Sequence, residues 1–250
     1  MMENADVLRR LRAPEDFLDG VLRKVGLVDR YAQVESPIGT VRVAVGKHGI
    51  SAVMRAKSDA EFERRYRERT GRRAERHDDM AEELRHAIAG SGGIGVDLRS
   101  CNGFQRAVLD ATRTIPSGSV RPYAWIAREI GKPKAVRAVG TALAQNPVPL
   151  VVPCHRVVRS DGDPGEYGLG AGTRDKIALL QHEGIDIGEM RKRVSARAFW
   201  AIEGEDTYCY PYCFEQQVEH DRVVRFDSAH DAHRQGLTPC ATCRPPLPGS

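Results

Sequence analysis

No apolar run in the 250-residue sequence approaches the roughly 20 residues that a membrane-spanning helix requires, and Met1 to Arg12 carry no apolar signal-peptide core. These two absences point to a soluble, cytoplasmic protein without a membrane partner. Charge of one sign is equally scarce: 38 Lys and Arg against 34 Asp and Glu leave a formal net charge of +4 and a pI near 8.8. That imbalance is too weak to announce a nucleic-acid partner by itself. Lysine is sparse beside arginine; a base-composition bias accounts for this, while bidentate contacts to phosphate stay open at particular sites. A working dinucleotide fingerprint is also missing. Gly90-Ser91-Gly92-Gly93-Ile94-Gly95 has the letters, but it follows a helical pattern and precedes a short strand at 96–98, the reverse of the strand–loop–helix order the motif needs. It reads as a linker.

What is present divides along the chain. Residues 3–27 repeat apolar side chains at helical spacing, from Val7 and Leu8 to Val25. Alternation then predicts strands over 31–35, 40–45 and 50–54, a small antiparallel sheet. Two charged helices follow, over 59–69 and 78–89, and the basic cluster from Arg64 to Arg76 is interleaved with acids as on a solvated face. From Gly103 the pattern changes to compact helices over 104–115, 123–130 and 135–145, each closed by Gly or Pro. The last two have the spacing of a helix-turn-helix, and equally of an ordinary helical hairpin. A loop over 160–172 leads to a final helix from Thr173, as N-cap, to Glu183. A carboxylate in a last helical turn is disfavoured by the helix dipole, which hints at another job for Glu183.

Between these helices lies Pro149-Leu150-Val151-Val152-Pro153-Cys154-His155-Arg156-Val157-Val158, an apolar run that carries a cysteine inward with an imidazole beside it. Cys154 is either a nucleophile or a small buried hydrophobe, and the ten residues alone leave both readings open.

The wider set of motifs is more specific. Gly103-Phe104-Gln105, Ile115-Pro116-Ser117-Gly118, Tyr123, Gly131-Lys132-Pro133-Lys134-Ala135-Val136-Arg137-Ala138-Val139-Gly140, Asn146-Pro147, Pro153 to Val158, Tyr167 and Leu179 to Gly184 resemble the O6-alkylguanine-DNA alkyltransferases. The similarity is close over 100–185 and looser over 30–98. The resemblance implies double-stranded DNA as partner and transfer of the alkyl group of O6-methylguanine, with O4-methylthymine as a further candidate substrate, to Cys154. The step is single-turnover and irreversible because a thioether is a poor leaving group, and it needs no cofactor. It also implies that His155 takes the thiol proton through a water, Glu183 orients the imidazole, and Asn146 ties the third helix to the cysteine strand. The nucleotide must be flipped out of the duplex. Arg137, on a minor-groove helix that also carries Ala138 and Gly140, would fill the vacated stack, and Tyr123 on the preceding helix would help rotate the phosphate and protonate the leaving guanine. Val157, Tyr167 and Gly168 would line the base pocket. Cys101-Asn102, where the family usually has Gly-Thr-Pro, and the irregular loop over 161–172 are departures.

The six cysteines stand at 101, 154, 209, 213, 240 and 243. Cys209-x3-Cys213 and Cys240-x2-Cys243 match a tetrahedral zinc site, with paired disulfides as the competing reading. Spacing and flanks resemble the zinc domain of Ada-type adaptive-response proteins, here after the alkyltransferase segment instead of before it. The resemblance would make Cys209 an acceptor of methyl from DNA phosphotriesters. Tyr210 and Thr238 stand where arginines are usual, so a structural zinc site stays open beside the reactive one. The expected architecture is α+β: an N-terminal helical extension (1–29), a small antiparallel-sheet subdomain (30–98), a helical DNA-binding and catalytic domain with a helix-turn-helix (99–190) and a four-cysteine zinc domain (196–250), acting as a monomer. A non-catalytic module that flags alkyl damage and a methylation-responsive zinc thiol regulator are the alternatives.

Overall fold

The computed structural model describes residues 21–22, 25, 27–91, 93–169, 172–195, 198–213 and 222–247. The helical pattern over 3–27 lies almost wholly outside them. The chain divides into two compact units, 1–100 and 101–250.

In the first unit, β1 (Val28–Val34), β2 (Val41–Gly46) and β3 (Gly49–Met54) form the expected antiparallel meander. Gly49 makes its tight turn at φ +111, where an added Cβ would stand 2.1 Å from the Gly95 carbonyl oxygen, so only glycine fits. α1 (Asp59–Thr70) starts where Ser58 accepts a hydrogen bond from the Glu61 N–H, and it buries Phe62 and Tyr66 against Tyr31, Ala44 and Ala52 of the sheet. A fourth strand that the sequence did not disclose, β4 (Arg73–Arg76), joins β1 in parallel and gives the order β3-β2-β1-β4. Arg72 departs from the solvated-face expectation: it lies between the buried carboxylates of Asp29 and Asp97, at 3.2 Å from each. The second charged helix is shorter than expected. Residues 78–80 make a 3-10 turn, and α2 (Ala81–Ile88) buries Leu84, Ala87 and Ile88. The short strand expected at 96–98 is reduced to a single bridge between Val96 and Ile50.

The second unit opens with α3 (Gly103–Arg113), capped by the Asn102 side chain and burying Val108, Leu109 and Thr112. β5 (Arg121–Pro122) leads directly into α4 (Tyr123–Glu129), and α5 (Val136–Ala144) packs on both α3 and α4. Cys154 does not lie on a strand, as expected, but on a 3-10 turn over Cys154–Arg156, ahead of β6 (Val157–Val158), which pairs in parallel with β5. α6 spans Thr173–His182. Its N-cap is Gly172, not Thr173, because the chain enters at φ 58 and ψ −133, a region that side-chained residues avoid. Glu183 is its C-cap residue, one place beyond the last turn.

α7 (Ile187–Ser195), unread in the sequence, buries Met190 and Val194 beside Leu180, Ile185, Val120 and Val158. The last segment forms a second sheet, in the order β10 (Thr238–Pro239), β8 (Thr207–Cys209), β7 (Phe199–Ile202), β9 (Val223–Phe226). It is closed by α8 (Ala229–Arg234), with Ala229 and Ala232 packed on Ala201, Tyr208 and Phe226.

Candidate active site and metal centre

The 3-10 turn after Pro153 points the Cys154 thiol inward, where it is 7% exposed. Asn146, just past the end of α5, ties the loop together. Its Nδ2 donates to the Val152 carbonyl at 3.0 Å and to Cys154 Sγ at 3.2 Å, while its Oδ1 accepts from the Val148 N–H at 3.0 Å. Burial pushes the thiol pKa up, and the Asn146 hydrogen bond and the charge of Lys176 oppose that rise.

His155 is the next residue of the same turn. Its Nε2 lies 2.8 Å from Glu183 Oε1. Burial, which alone would raise the Glu183 pKa, is outweighed by His155 and Arg156, and the carboxyl is held down to about 2. An ionised carboxylate can only accept, so Nε2 carries the imidazole proton and Nδ1 presents its lone pair. That Nδ1 is buried with no hydrogen-bond partner among the described residues. Burial also lowers the His155 pKa, which keeps the ring neutral at pH 7. The turn therefore sets a neutral base beside a buried thiol.

Glu183 is itself over-determined. Arg156 donates to it from Nη2 at 2.7 Å and from Nε at 3.0 and 3.1 Å, and the Gly118 N–H donates at 3.2 Å. Arg156 Nη1 reaches back to the Ile115 carbonyl at 2.7 Å, which pins the turn to the end of α3. Four donors explain why a carboxylate is stable at a helix C-terminus, the oddity noted in the sequence.

Tyr123, the first residue of α4, has its pKa raised by burial and by Cys154. Its ring lies against Gly140 of α5, where an added Cβ would come within 3.9 Å, and its hydroxyl lies near Gly165. The Lys176 Nζ stands 5.6 Å over the Tyr123 ring and donates to the Val157 carbonyl at 2.6 Å. Lys176 is 1% exposed, and burial lowers its pKa to about 8. Sequence reading assigned no role to Lys176 or Arg156. The available signal for Lys176 was its place three and four residues before Leu179 and Leu180, on the apolar stripe of α6. Tyr167 is buried with its ring edge-on to His155, centroids 6.2 Å apart, and Val157 is buried beside them. Gly168 is exposed and backs onto the Ala144 carbonyl, 3.2 Å from where a Cβ would sit. Arg137 and Ala138 are exposed on α5.

The four C-terminal cysteines are free of disulfides, and their sulfurs all lie within 4.8 Å of one another. One tetrahedral zinc with bonds of about 2.3 Å needs sulfurs about 3.8 Å apart, so the group fits. β8 supplies Cys209, the following turn Cys213, and the segment after β10 Cys240 and Cys243. The Tyr210 N–H donates to Cys243 Sγ at 3.3 Å, support of the kind a metal-bound thiolate receives. A cavity of about 140 Å³ opens beside Cys209, Cys213 and Cys240, lined also by Trp200, Tyr210 and Arg193. Cys243 is buried and does not line the cavity.

Residues 103–185 match the family model described as the 6-O-methylguanine DNA methyltransferase DNA-binding domain, and residues 187–246 match the metal-binding domain of Ada. The chain is 42% identical over 108 residues to a methylated-DNA–protein-cysteine methyltransferase of Shigella flexneri, an alignment covering 42% of this chain and 62% of the relative. It is 34% identical over 165 residues to the bifunctional transcriptional activator/DNA repair enzyme Ada of Escherichia coli, covering 63% of this chain and 46% of Ada. The chain thus spans less than two thirds of either curated relative. Among solved structures, Mycobacterium tuberculosis OGT in complex with DNA superposes with a TM-score of 0.50 at 32% identity, over 62% of this chain and 92% of that one. The chain belongs to the O6-methylguanine-DNA methyltransferase family. Its C-terminal part is an Ada-type metal-binding domain whose four-cysteine cluster is consistent with zinc. Among the described residues no helix is long and apolar enough to cross a membrane.

Proposed function

We propose that the protein repairs alkylated double-stranded DNA by moving the O6-alkyl group of guanine irreversibly to Cys154. The observation that carries this reading is the joint geometry at the 3-10 turn: a buried thiol held by Asn146, beside a neutral imidazole whose Nε2 is locked onto Glu183 and whose Nδ1 is left as the acceptor. The thiol proton passes to Nδ1 through one solvent molecule as the substrate enters. Sulfur then attacks the alkyl carbon in line, the S–C bond forms as the C–O6 bond breaks, and the electron pair leaves on the guanine. Tyr123, whose raised pKa keeps it protonated, gives its proton to the departing base and regains one from His155. The balance is thiol plus alkylguanine to thioether plus guanine, so each molecule acts once. Arg137, exposed on α5 with Ala138, takes the place of the flipped nucleotide, and Val157, Tyr167 and Gly168 border the base.

The test is incubation with a duplex carrying one O6-methylguanine, followed by peptide mass spectrometry. One methyl on the Cys154 peptide is expected in wild type and none in Cys154→Ala. Duplex affinity unaccompanied by methyl transfer would favour a damage-flagging module instead.

A second reading concerns the metal domain. Bound zinc would hold the four cysteines as thiolates, and Cys209, like Cys213 and Cys240, borders the open cavity while Cys243 does not. We propose Cys209 as a methyl acceptor for DNA phosphotriesters, although Tyr210 and Thr238 replace the usual arginines. A methyl-phosphotriester duplex that leaves the Cys209 peptide unmodified would make the site purely structural.

A further inference from the structure

The metal domain and the catalytic helices meet along one face of α4 and its lead-in strand. Trp125, Arg128 and Glu129 fall at i, i+3 and i+4 on one face of α4, and Arg121 stands on the strand that leads into it. Each is engaged by the metal loops. The Trp125 Nε1–H donates to the carbonyl of the ligand residue Cys243 at 2.7 Å. The Arg128 guanidinium lies 5.2 Å over the Tyr210 ring, and Arg244 pairs with Glu129 at 2.6 Å while lying 5.3 Å over Trp125.

Arg121 is more unusual. It is fully buried, donates from Nη1 to the Val120 carbonyl at 2.8 Å, and has no hydrogen-bond partner for Nε or Nη2 among the described residues. Its charge rests between two aromatic faces, Trp125 at 5.5 Å and Tyr212 at 5.9 Å. A buried guanidinium depends on such faces when no carboxylate is at hand.

Tyr210 and Tyr212 lie between the ligands Cys209 and Cys213 and stack on each other with centroids 4.8 Å apart. Tyr212 is 4% exposed and belongs to the core formed by Val120, Val158 of β6, Leu180 of α6 and Met190 of α7. The loop that a metal would tie at both ends thus plugs the core under the catalytic turn. Its neighbours grip the helix that begins with Tyr123.

We propose that the four-cysteine metal site is a clamp on the catalytic unit: zinc at Cys209, Cys213, Cys240 and Cys243 holds α4 and its Tyr123 in register with Cys154, and loss of the metal slows alkyl transfer. Trp125 and Tyr212 are positioning residues in this arrangement, acting through Tyr123. The kinetic consequence rests on the alkyl-transfer reading given above; the structural consequence does not.

The experiment compares the full chain loaded with zinc, stripped by chelation, and reloaded. Amide hydrogen exchange is followed over 119–130, and methyl transfer is timed at saturating O6-methylguanine duplex. Stripping should speed exchange in 123–129 by about tenfold while α3 keeps its protection, and should slow transfer by about tenfold at saturating DNA. Zinc should restore both. Trp125→Phe, which keeps an aromatic side chain and removes the donor, should reproduce part of both effects in zinc-loaded protein. Arg244→Ala, at a half-exposed position, should do the same more weakly.

Unchanged exchange and rate in verified metal-free protein would overturn the clamp. So would a loss of protection spread evenly over α3 and α6, which would mean that the metal holds the whole unit and not this face. A zinc-loaded protein that never methylates Cys154 overturns the alkyl-transfer reading instead, and the exchange comparison then decides the clamp alone.

Discussion

Replacing Glu183 by Gln tests the relay at its most connected point. The substitution keeps shape and removes one charge, which is held by His155, by Arg156 through three contacts, and by the Gly118 N–H. Its stability cost follows from the pKa. The carboxyl drops from 4.5 to about 2 on folding, equivalent to about 3 kcal/mol, and part of the group faces solvent, so about 2 kcal/mol is the figure to expect. The folded value is depressed. The stabilisation is therefore fully present above pH 4.5 and is lost as the pH falls toward about 2, so the variant should show a flatter acid limb in that window.

The kinetic effect is separate. A carboxylate can only accept, which fixes the proton on Nε2. An amide can also donate, which allows the tautomer with Nδ1 protonated, and that tautomer has no base to offer the thiol. General-base loss is worth about 10²- to 10⁴-fold, and single-turnover transfer from an O6-methylguanine duplex should slow by at least about 10²-fold on that basis. Denaturant unfolding at pH 7 and about pH 2.5 measures the first effect, and quenched single-turnover mixing measures the second. A variant that loses the expected stability yet transfers methyl within about threefold of wild type would refute the assignment of His155 as the base that Glu183 orients.

Asn146→Ala should cost about 1–3 kcal/mol by leaving buried partners unsatisfied, and it should move the pH profile of Cys154 alkylation by iodoacetamide upward because one of the groups lowering the thiol pKa is gone. Lys176→Met bears on sign as well as size. The folded Lys176 pKa is lowered by burial from 10.5 to about 8, so its charge destabilises the fold below about pH 8 and the penalty fades as the pH rises toward 10.5. The variant should therefore be relatively more stable at pH 7 than at pH 9.5 in denaturant titrations, against a fixed loss of the bond to the Val157 carbonyl, and its thiol should react more slowly. Arg137→Ala, at an exposed position, should leave unfolding within about 0.5 kcal/mol of wild type while weakening transfer from duplex more than from single-stranded substrate. Equal losses on both substrates would remove Arg137 from the flipping step.

The helices around the site were legible because each has a local start and stop. Pro116-Ser117-Gly118 closes α3, Gly131 closes α4 at φ 68, and Asn146-Pro147 closes α5. β4 was not legible, since in Arg73–Arg76 only Ala74 is buried and the strand exists through its pairing with β1. The short strands of the metal domain are likewise defined by distant partners, as Thr238 is by Thr207. α7 carried a readable pair, Met190 and Val194 at i and i+4, hidden among charged residues. Within the site, motif order brought Cys154, His155, Asn146 and Glu183 forward. Arg156 and Lys176 stayed silent because their contribution depends on where a long side chain ends, and that is decided by packing.

Burial acts on the two reacting groups in the same direction. It raises the Cys154 pKa and lowers that of His155, so the resting pair is thiol and neutral imidazole, and the charge-separated form is disfavoured. For the single-turnover reaction proposed above, such a pair serves better than a standing thiolate, which would be spent on any soft electrophile. The groups that favour the charged form, Glu183 behind the imidazole and Asn146 and Lys176 beside the sulfur, narrow the gap without closing it. In the proposed reaction what remains comes from the substrate, which supplies the carbon to attack. Tyr123 is the first residue of the helix that the metal loops hold, so the nucleophile's threshold and the metal site meet at one residue.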